Sequence, residues 1–451
     1  MKKLIFLLSA SLLLTISCTN NSKTSSNTAL QIFADSLFQS SLDSSMIAGG
    51  AIIAFQKNKM LLNKWYGHAS LELSTEMPEN GVFEIGSVTK QFTAAAILQL
   101  VEAKKLALDD DFTSYIPYNT KGRKITIDNL LNHTSGIPSY TEVQEFWDLS
   151  IEQHPRDSLV RLMESKDFLF EPGEALIYNN TGYFILGLII EKVAGQSYED
   201  YLKEHVFDPL GMQNTSYCSS NKVIKNKVYG YNYSPKGLEQ KGFLEHIWPY
   251  AAGSLCSTTS DMLIWLKALH TQNILPKALY QSIITPGTLN DGSPLRYAKG
   301  LTNYSNYGNH MIGHGGGIHG FLSETRYFPD KDLYIICLIN TTGPHGGGFF
   351  ANQITWKLLD KIQAKGVEIG MNTKDFDGDY SGAARGRTLN VTIKSVSDGF
   401  TMQRKGRKRI DTINTYVGSS TWRKGNQLFT FKNKQFHIDQ TSGHYVLKKK
   451  K

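Results

Sequence analysis

Phe83-Glu84-Ile85-Gly86-Ser87-Val88-Thr89-Lys90-Gln91-Phe92-Thr93-Ala94-Ala95-Ala96-Ile97-Leu98 sets an S-x-x-K motif between a glycine turn and an apolar, alanine-rich run. The run reads as a helix, and a separation of three residues puts Lys90 on the face of Ser87, one turn on, where its amine reaches the serine hydroxyl. Ser87 also stands at the helix start, where unpaired backbone N–H groups and the positive end of the helix dipole favour an alkoxide and a later oxyanion. That is the chemistry an activated serine nucleophile needs. Two fixed residues in four recur by chance, so the partners decide the reading.

The partners follow in order. A Pro172-Gly173 turn leads to Tyr178-Asn179-Asn180, and a third segment reads Gly313-His314-Gly315-Gly316-Gly317-Ile318-His319. With all three, the chain resembles the serine β-lactamase and penicillin-binding protein superfamily, in its branch of class C β-lactamases and D,D-peptidase-related serine hydrolases. Leu130 to Pro138, Pro209-Leu210-Gly211-Met212, and Ala252 to Thr258 followed by Asp261-Met262 are similar to that family's framework. The likeness runs over residues 29–366. It implies an α/β (α+β) fold, a β-lactamase-like antiparallel sheet flanked by helices with a helical region beside it.

The resemblance also assigns roles. Ser87 would attack a carbonyl and carry an acyl group, with Lys90 sharing its proton and Tyr178 relaying it to the leaving group. A free phenol has a pKa of about 10, so that relay asks nearby cations to favour phenolate. Asn180 can donate and accept, which suits it to hold both a substrate amide and Lys90. Asn180, His314, Gly316 and Gly317 would bind substrate, and the backbone N–H groups of Ser87 and Gly317 would form the oxyanion hole. Asn179 stands where Ser or Ala is common, and its side chain is expected to point away. His314 replaces the lysine typical of β-lactamases, giving a cation that titrates near an unperturbed pKa of about 6.5. No cofactor is expected.

Elsewhere the pattern is coarser. Leu30 to Leu42 is amphipathic and precedes two apolar runs, Ala48 to Phe55 and Met60 to Tyr66, which read as helix then hairpin. Signals from Ser87 to Tyr280 are mainly helical; Gly320 to Pro329 and Leu333 to Asn340 read as strands, and Phe349 to Gln363 as a closing helix. From residue 370 to 451 short alternating runs around Tyr380, Leu389 to Ile393, Gly399 to Met402 and Gln427 to Phe431 suggest a small C-terminal antiparallel β domain without a catalytic set.

The chain opens with Met1-Lys2-Lys3, thirteen apolar or small residues from Leu4 to Ile16, and Ser17-Cys18. Such a run is shorter than the roughly 20 residues of a membrane-spanning helix and reads as an export signal over residues 1–18. Cleavage before Cys18 would leave a lipidated cysteine, although Thr15 departs from the usual lipobox. Residues 19–28 then form a polar tether. Cys218, Cys256 and Cys337 remain in the body, an odd number that indicates no disulfide framework and suits buried small hydrophobes, with one bridge left open. The histidines at 310, 314, 319 and 345 lack carboxylate or cysteine partners at ligand spacing, so no metal is expected.

Composition is that of a soluble globular protein, 20% charged and 41% hydrophobic. Of the net charge of +8, residues 371–451 hold 17 Lys and Arg against 6 Asp, a balance of +11 that leaves residues 1–370 at 8 minus 11, or −3. That excess fits either a solvated hairpin tip and chain end or a face turned to an anionic envelope surface, and an exported protein is a poor nucleic-acid binder. The expectation is an exported, periplasm-facing lipoprotein hydrolase acting on peptides, amides or esters, with D-alanyl peptides of peptidoglycan as a candidate substrate and the membrane as its anchor partner. A carboxylesterase, a class C-type β-lactamase and an inactive wall-peptide-binding protein are the alternatives.

Overall fold

The computed structural model describes residues 21–362, 366–367 and 373–450, with side chains from residue 28 onward. The expected export signal and Cys18 lie outside the described residues. The first helix, Asn21–Asp43, buries Leu30, Ala34 and Phe38, one stripe at a spacing of four. It begins inside the stretch expected as a tether. Once the amphipathic part is held by packing, extending a helix adds a hydrogen bond per residue without a new nucleus.

Seven strands form a sheet paired antiparallel throughout, in the spatial order Thr302–Asn306, Asn309–Ile318, Phe321–Phe328, Leu333–Ile339, Gly49–Gln56, Lys59–Ser70 and Thr75–Glu76. Strand periodicity divides its residues between two cores. Ile52, Ala54, Ile335 and Cys337 pack with the first helix and with Phe350 and Ile354 of the helix Gly347–Leu358. Ala51, Ile53, Ile336 and Leu338 face the larger core, shared with the helical region. The hairpin between the first two strands turns at Lys57 and Asn58, both with positive φ, 47° and 59°. The last helix of this unit stops at Leu358, short of the expected Gln363, because Leu359 adopts extended φ/ψ and buries its side chain.

The helical region is built on Thr89–Glu102, Asn180–Ala194 and Thr259–His270. It also holds three very short strands, Phe83–Glu84, Ser216–Tyr217 and Leu255–Ser257, the last two in a segment that reads as mainly helical in sequence. Pairing of Ser216 with Cys256 brings the following Cys218 to a Cα distance of 5.3 Å from Cys256, and the two form a disulfide. Among the described residues, Cys337 is the buried free thiol. The disulfide is the one bridge that the sequence left open beside the favoured reading of buried hydrophobes; the pairing depends on tertiary contact across 38 residues and leaves no spacing signature.

Residues 378–449 make a further antiparallel sheet of nine strands with its own core, including Tyr380, Ile393, Phe400, Trp422, Phe436 and Leu447. One strand from outside joins it: Leu176 and Ile177 pair with His444 and Gly443 of the final strand. Arg296 donates from Nε to Asp439 across the same boundary at 2.6 Å, both side chains nearly buried.

Candidate active site

Gly86, Ser87 and Val88 form a single tight turn that runs into the helix Thr89–Glu102. Gly86 has φ +52°, and a Cβ placed there would lie 2.9 Å from the backbone N, C and O of Gly317. Only glycine combines that backbone angle with so close an approach. The contact fixes the Gly317 backbone beside the Ser87 turn. Gly316 packs behind it: a Cβ there would stand 2.1 Å from Ile85 O, and Ser323 Oγ donates to the same carbonyl at 2.7 Å. Gly315 and Gly317 border the cleft, while Gly316 seats the nucleophile turn.

Lys90 is buried, with Nζ 3.3 Å from Ser87 Oγ, 2.8 Å from Asn180 Oδ1 and 2.7 Å from Ala252 O. Burial, reinforced by the charge of Arg385, holds its amine well below the usual lysine range. A neutral amine hydrogen-bonded to a serine hydroxyl is a proton acceptor. Asn180 in turn donates from Nδ2 to Thr141 Oγ1 at 3.1 Å, which fixes its oxygen toward Lys90. Asn179 points away, as expected: it caps the helix by accepting from Gly182 N at 3.0 Å and donates to Ile137 O.

Tyr178 follows the Leu176–Ile177 strand, its hydroxyl directed at Ser87 without a hydrogen bond of ordinary geometry. Burial raises its phenol above the ordinary value, and the approach to Ser87 and the Arg385 charge only partly oppose this. The neutral phenol corrects the expected phenolate: it can donate a proton to a leaving group. His133 supports it, with its ring centroid 4.4 Å from that of Tyr178 and Nδ1 accepting from Asn179 N at 3.2 Å.

His314 projects from the strand Asn309–Ile318 and is buried. Its Nδ1 donates to Gly315 O at 2.5 Å, and its Nε2 accepts from the Tyr297 hydroxyl at 3.0 Å. That tautomer is neutral, and burial, before any charge on the neighbouring Lys90, lowers its pKa to about 3. The expectation of a cation titrating near neutrality is corrected: burial, in a pocket closed partly by Tyr297, a residue with no motif to announce it, disfavours the charged ring.

Ser87, Tyr178, Asn180, His314 and Gly317 border one cleft of about 910 Å³. Its far wall comes from the C-terminal sheet, through Arg385, Arg387 and Tyr445. Sequence reasoning missed these because no motif marks them. A basic pair flanking a glycine turn, Arg385-Gly386-Arg387, was the available signal.

Residues 34–359 match the family model described as Beta-lactamase. The chain belongs to the Beta-lactamase family. Among relatives of this Beta-lactamase family chain, Penicillin-binding protein 4* of Bacillus subtilis (strain 168) is 31% identical over 310 residues, 64% of this chain and 68% of its own. Protein flp of Staphylococcus aureus (strain MRSA252) is 28% identical, over 68% of this chain and 62% of its own, so somewhat less than two thirds of flp is matched. An octameric penicillin-binding protein homologue from Pyrococcus abyssi aligns over 92% of this chain and 99% of its own, at 26% identity and a TM-score of 0.65. D-amino acid amidase from Ochrobactrum anthropi SV3 shares the fold, covering 74% of this chain and 98% of its own at 21% identity and a TM-score of 0.62. Family membership makes this β-lactamase-related protein a serine hydrolase.

Proposed function

We propose that the chain is an exported hydrolase that forms an acyl-enzyme at Ser87 on peptide or amide substrates, with D-alanyl peptides of the cell wall as the leading class. The observation that carries this is the placement of Lys90 Nζ between Ser87 Oγ and Asn180 Oδ1. Ser87 Oγ attacks the carbonyl carbon and its proton passes to Lys90. The oxyanion is held by the N–H groups of Ser87 and Gly317. As the C–N bond breaks, the leaving amine takes a proton from Tyr178, which is replenished from Lys90; water then cleaves the ester. The names of the Bacillus subtilis and Pyrococcus abyssi relatives support a penicillin-binding type of substrate. A disulfide between Cys218 and Cys256 suits an oxidising compartment and so supports export.

A fluorophosphonate or fluorescent penicillin should label the protein at one site, and Ser87→Ala should abolish both label and turnover with the circular dichroism spectrum unchanged. Stoichiometric labelling of the Ala variant overturns the assignment. Lipidation at Cys18 completes the proposal: Cys18→Ser should move the protein from the membrane to the soluble fraction, and an unmodified mature N-terminus elsewhere would reject it.

A further inference from the structure

The catalytic cleft has walls from two parts of the chain, and their charges differ. On the hydrolase side Lys90 is turned inward, with Ser87, Asn180 and Ala252 around its amine. His314 is held neutral between Tyr297 and Gly315. Glu324 is spent on Arg326 at 2.8 Å. Among the described residues lining the cleft, the permanent cations are Arg385 and Arg387, both from the C-terminal sheet.

Arg385 is the better placed of the two. It sits in a two-residue turn, with Ala384 paired to Arg387 across the hairpin. The second turn residue, Gly386, has φ +66°, and a Cβ there would meet Glu142 Oε2 at 2.3 Å, so the turn is pressed against Glu142. Arg385 Nε donates to Glu142 Oε1 at 2.8 Å. One edge of the guanidinium is thereby oriented, while its two terminal nitrogens make no hydrogen bond within the described residues. Its carbon lies 5.2 Å from the Tyr178 ring centroid, and the side chain is 41% exposed, open to the cleft rather than sealed behind it. A planar fork with free donors beside the leaving-group tyrosine fits a carboxylate with two parallel hydrogen bonds.

We propose that Arg385 is the carboxylate-recognising residue of this site, so that the C-terminal sheet selects substrates with a free carboxylate next to the scissile amide, as in a carboxypeptidase, over those ending in an amide or ester. The proposal rests on the acyl-enzyme reading above and narrows its substrate. Glu142 is the positioning residue that aims the fork, and removing it is a different experiment from removing the charge.

The test compares a diacylated L-Lys-D-Ala-D-Ala peptide with the same peptide carrying a C-terminal amide, using the full mature chain and measuring release of D-alanine or D-alaninamide. The wild type should favour the acid, and the acid-to-amide ratio of kcat/KM should fall at least tenfold in Arg385→Ala, whatever the absolute rates. Any effect of Arg385 on Lys90 or Tyr178 acts on both peptides and cancels in the ratio. Arg385→Lys, which keeps charge but loses the fork, should fall between. Arg385→Gln repeats the neutral test with a longer side chain, and Ser87 labelling reports that each variant is folded. A ratio within twofold of wild type in both neutral variants overturns the proposal, as does a wild type that treats acid and amide alike. A wild type labelled at Ser87 that cleaves neither peptide also overturns it, leaving the acyl-enzyme intact. Absence of Ser87 labelling in the wild type instead defeats the acyl-enzyme reading itself.

Discussion

The Tyr297 hydroxyl lies 3.0 Å from His314 Nε2 in a buried pocket, and that burial makes a residue at the place of a family cation a neutral element of the wall. The opposite ring nitrogen is committed to Gly315 O. Protonating the imidazole would place a charge in a buried site already beside Lys90.

Acid stability follows from this. The folded pKa of His314 is lowered to about 3, whereas in the unfolded chain it returns to about 6.5. Its contribution is whole above pH 6.5 and is lost as pH falls from 6.5 toward 3, where the unfolded state alone takes up the proton. His314→Gln should therefore flatten the dependence of urea-unfolding free energy on pH over that window by up to about 1.4 kcal/mol per pH unit. Buried His133 and His270, lowered in the same direction, keep part of the slope. Identical slopes for wild type and variant would contradict the neutral assignment.

Lys90 sets the acidic limb of activity. Burial and the Arg385 charge both lower its pKa, so the limb of kcat/KM should have its midpoint below the ordinary lysine value of about 10.4. Removing the positive charge makes protonation easier, and Arg385→Ala should move that midpoint to higher pH on any substrate. Lys90→Arg, always charged, should lose between about 100-fold and 10,000-fold in acylation. A limb that stays in place in Arg385→Ala would show that another group titrates there.

The glycine strand gives a graded prediction. Gly316→Ala drives a Cβ into Ile85 O and Ser323 Oγ, at 2.1 and 2.2 Å, so backbone must move. The cost should be about 1–3 kcal/mol in thermal or urea unfolding, with a fall in kcat as Ser87 shifts against Gly317. At Gly315 the nearest atom is the Glu324 carboxylate, 2.8 Å away at the end of a flexible side chain, so Gly315→Ala should be milder on stability. The reverse order would mean that the close approach of strand and nucleophile turn is not what demands glycine.

Much of this was legible because the informative signals are local. Ser87 and Lys90 share one helical turn, and Ile52 to Ala54 alternate between two cores at a strand's period, both properties of neighbouring residues. Tyr178 and Asn180 could be placed by motif order, but their ionisation could not. Burial of the phenol and of Lys90 depends on what covers them, and those atoms come from Tyr297, Ala252 and the C-terminal sheet. The disulfide and the Arg385 wall escaped for the same reason, since each joins segments that are distant in sequence. Leu255–Ser257 and its two short partners are too brief to carry a period, and only tertiary pairing defines them.

Pairing of Leu176 and Ile177 with Gly443 and His444 also orders events during biosynthesis. The nucleophile and its lysine emerge early, whereas the strand that flanks the Tyr178 segment is made more than 350 residues later. A nascent chain stalled before residue 443 lacks that partner, and one stalled before residue 385 lacks the cationic wall as well. The hydrolase therefore matures late: a fragment that stops before residue 385 carries the nucleophile but not the enclosure around it.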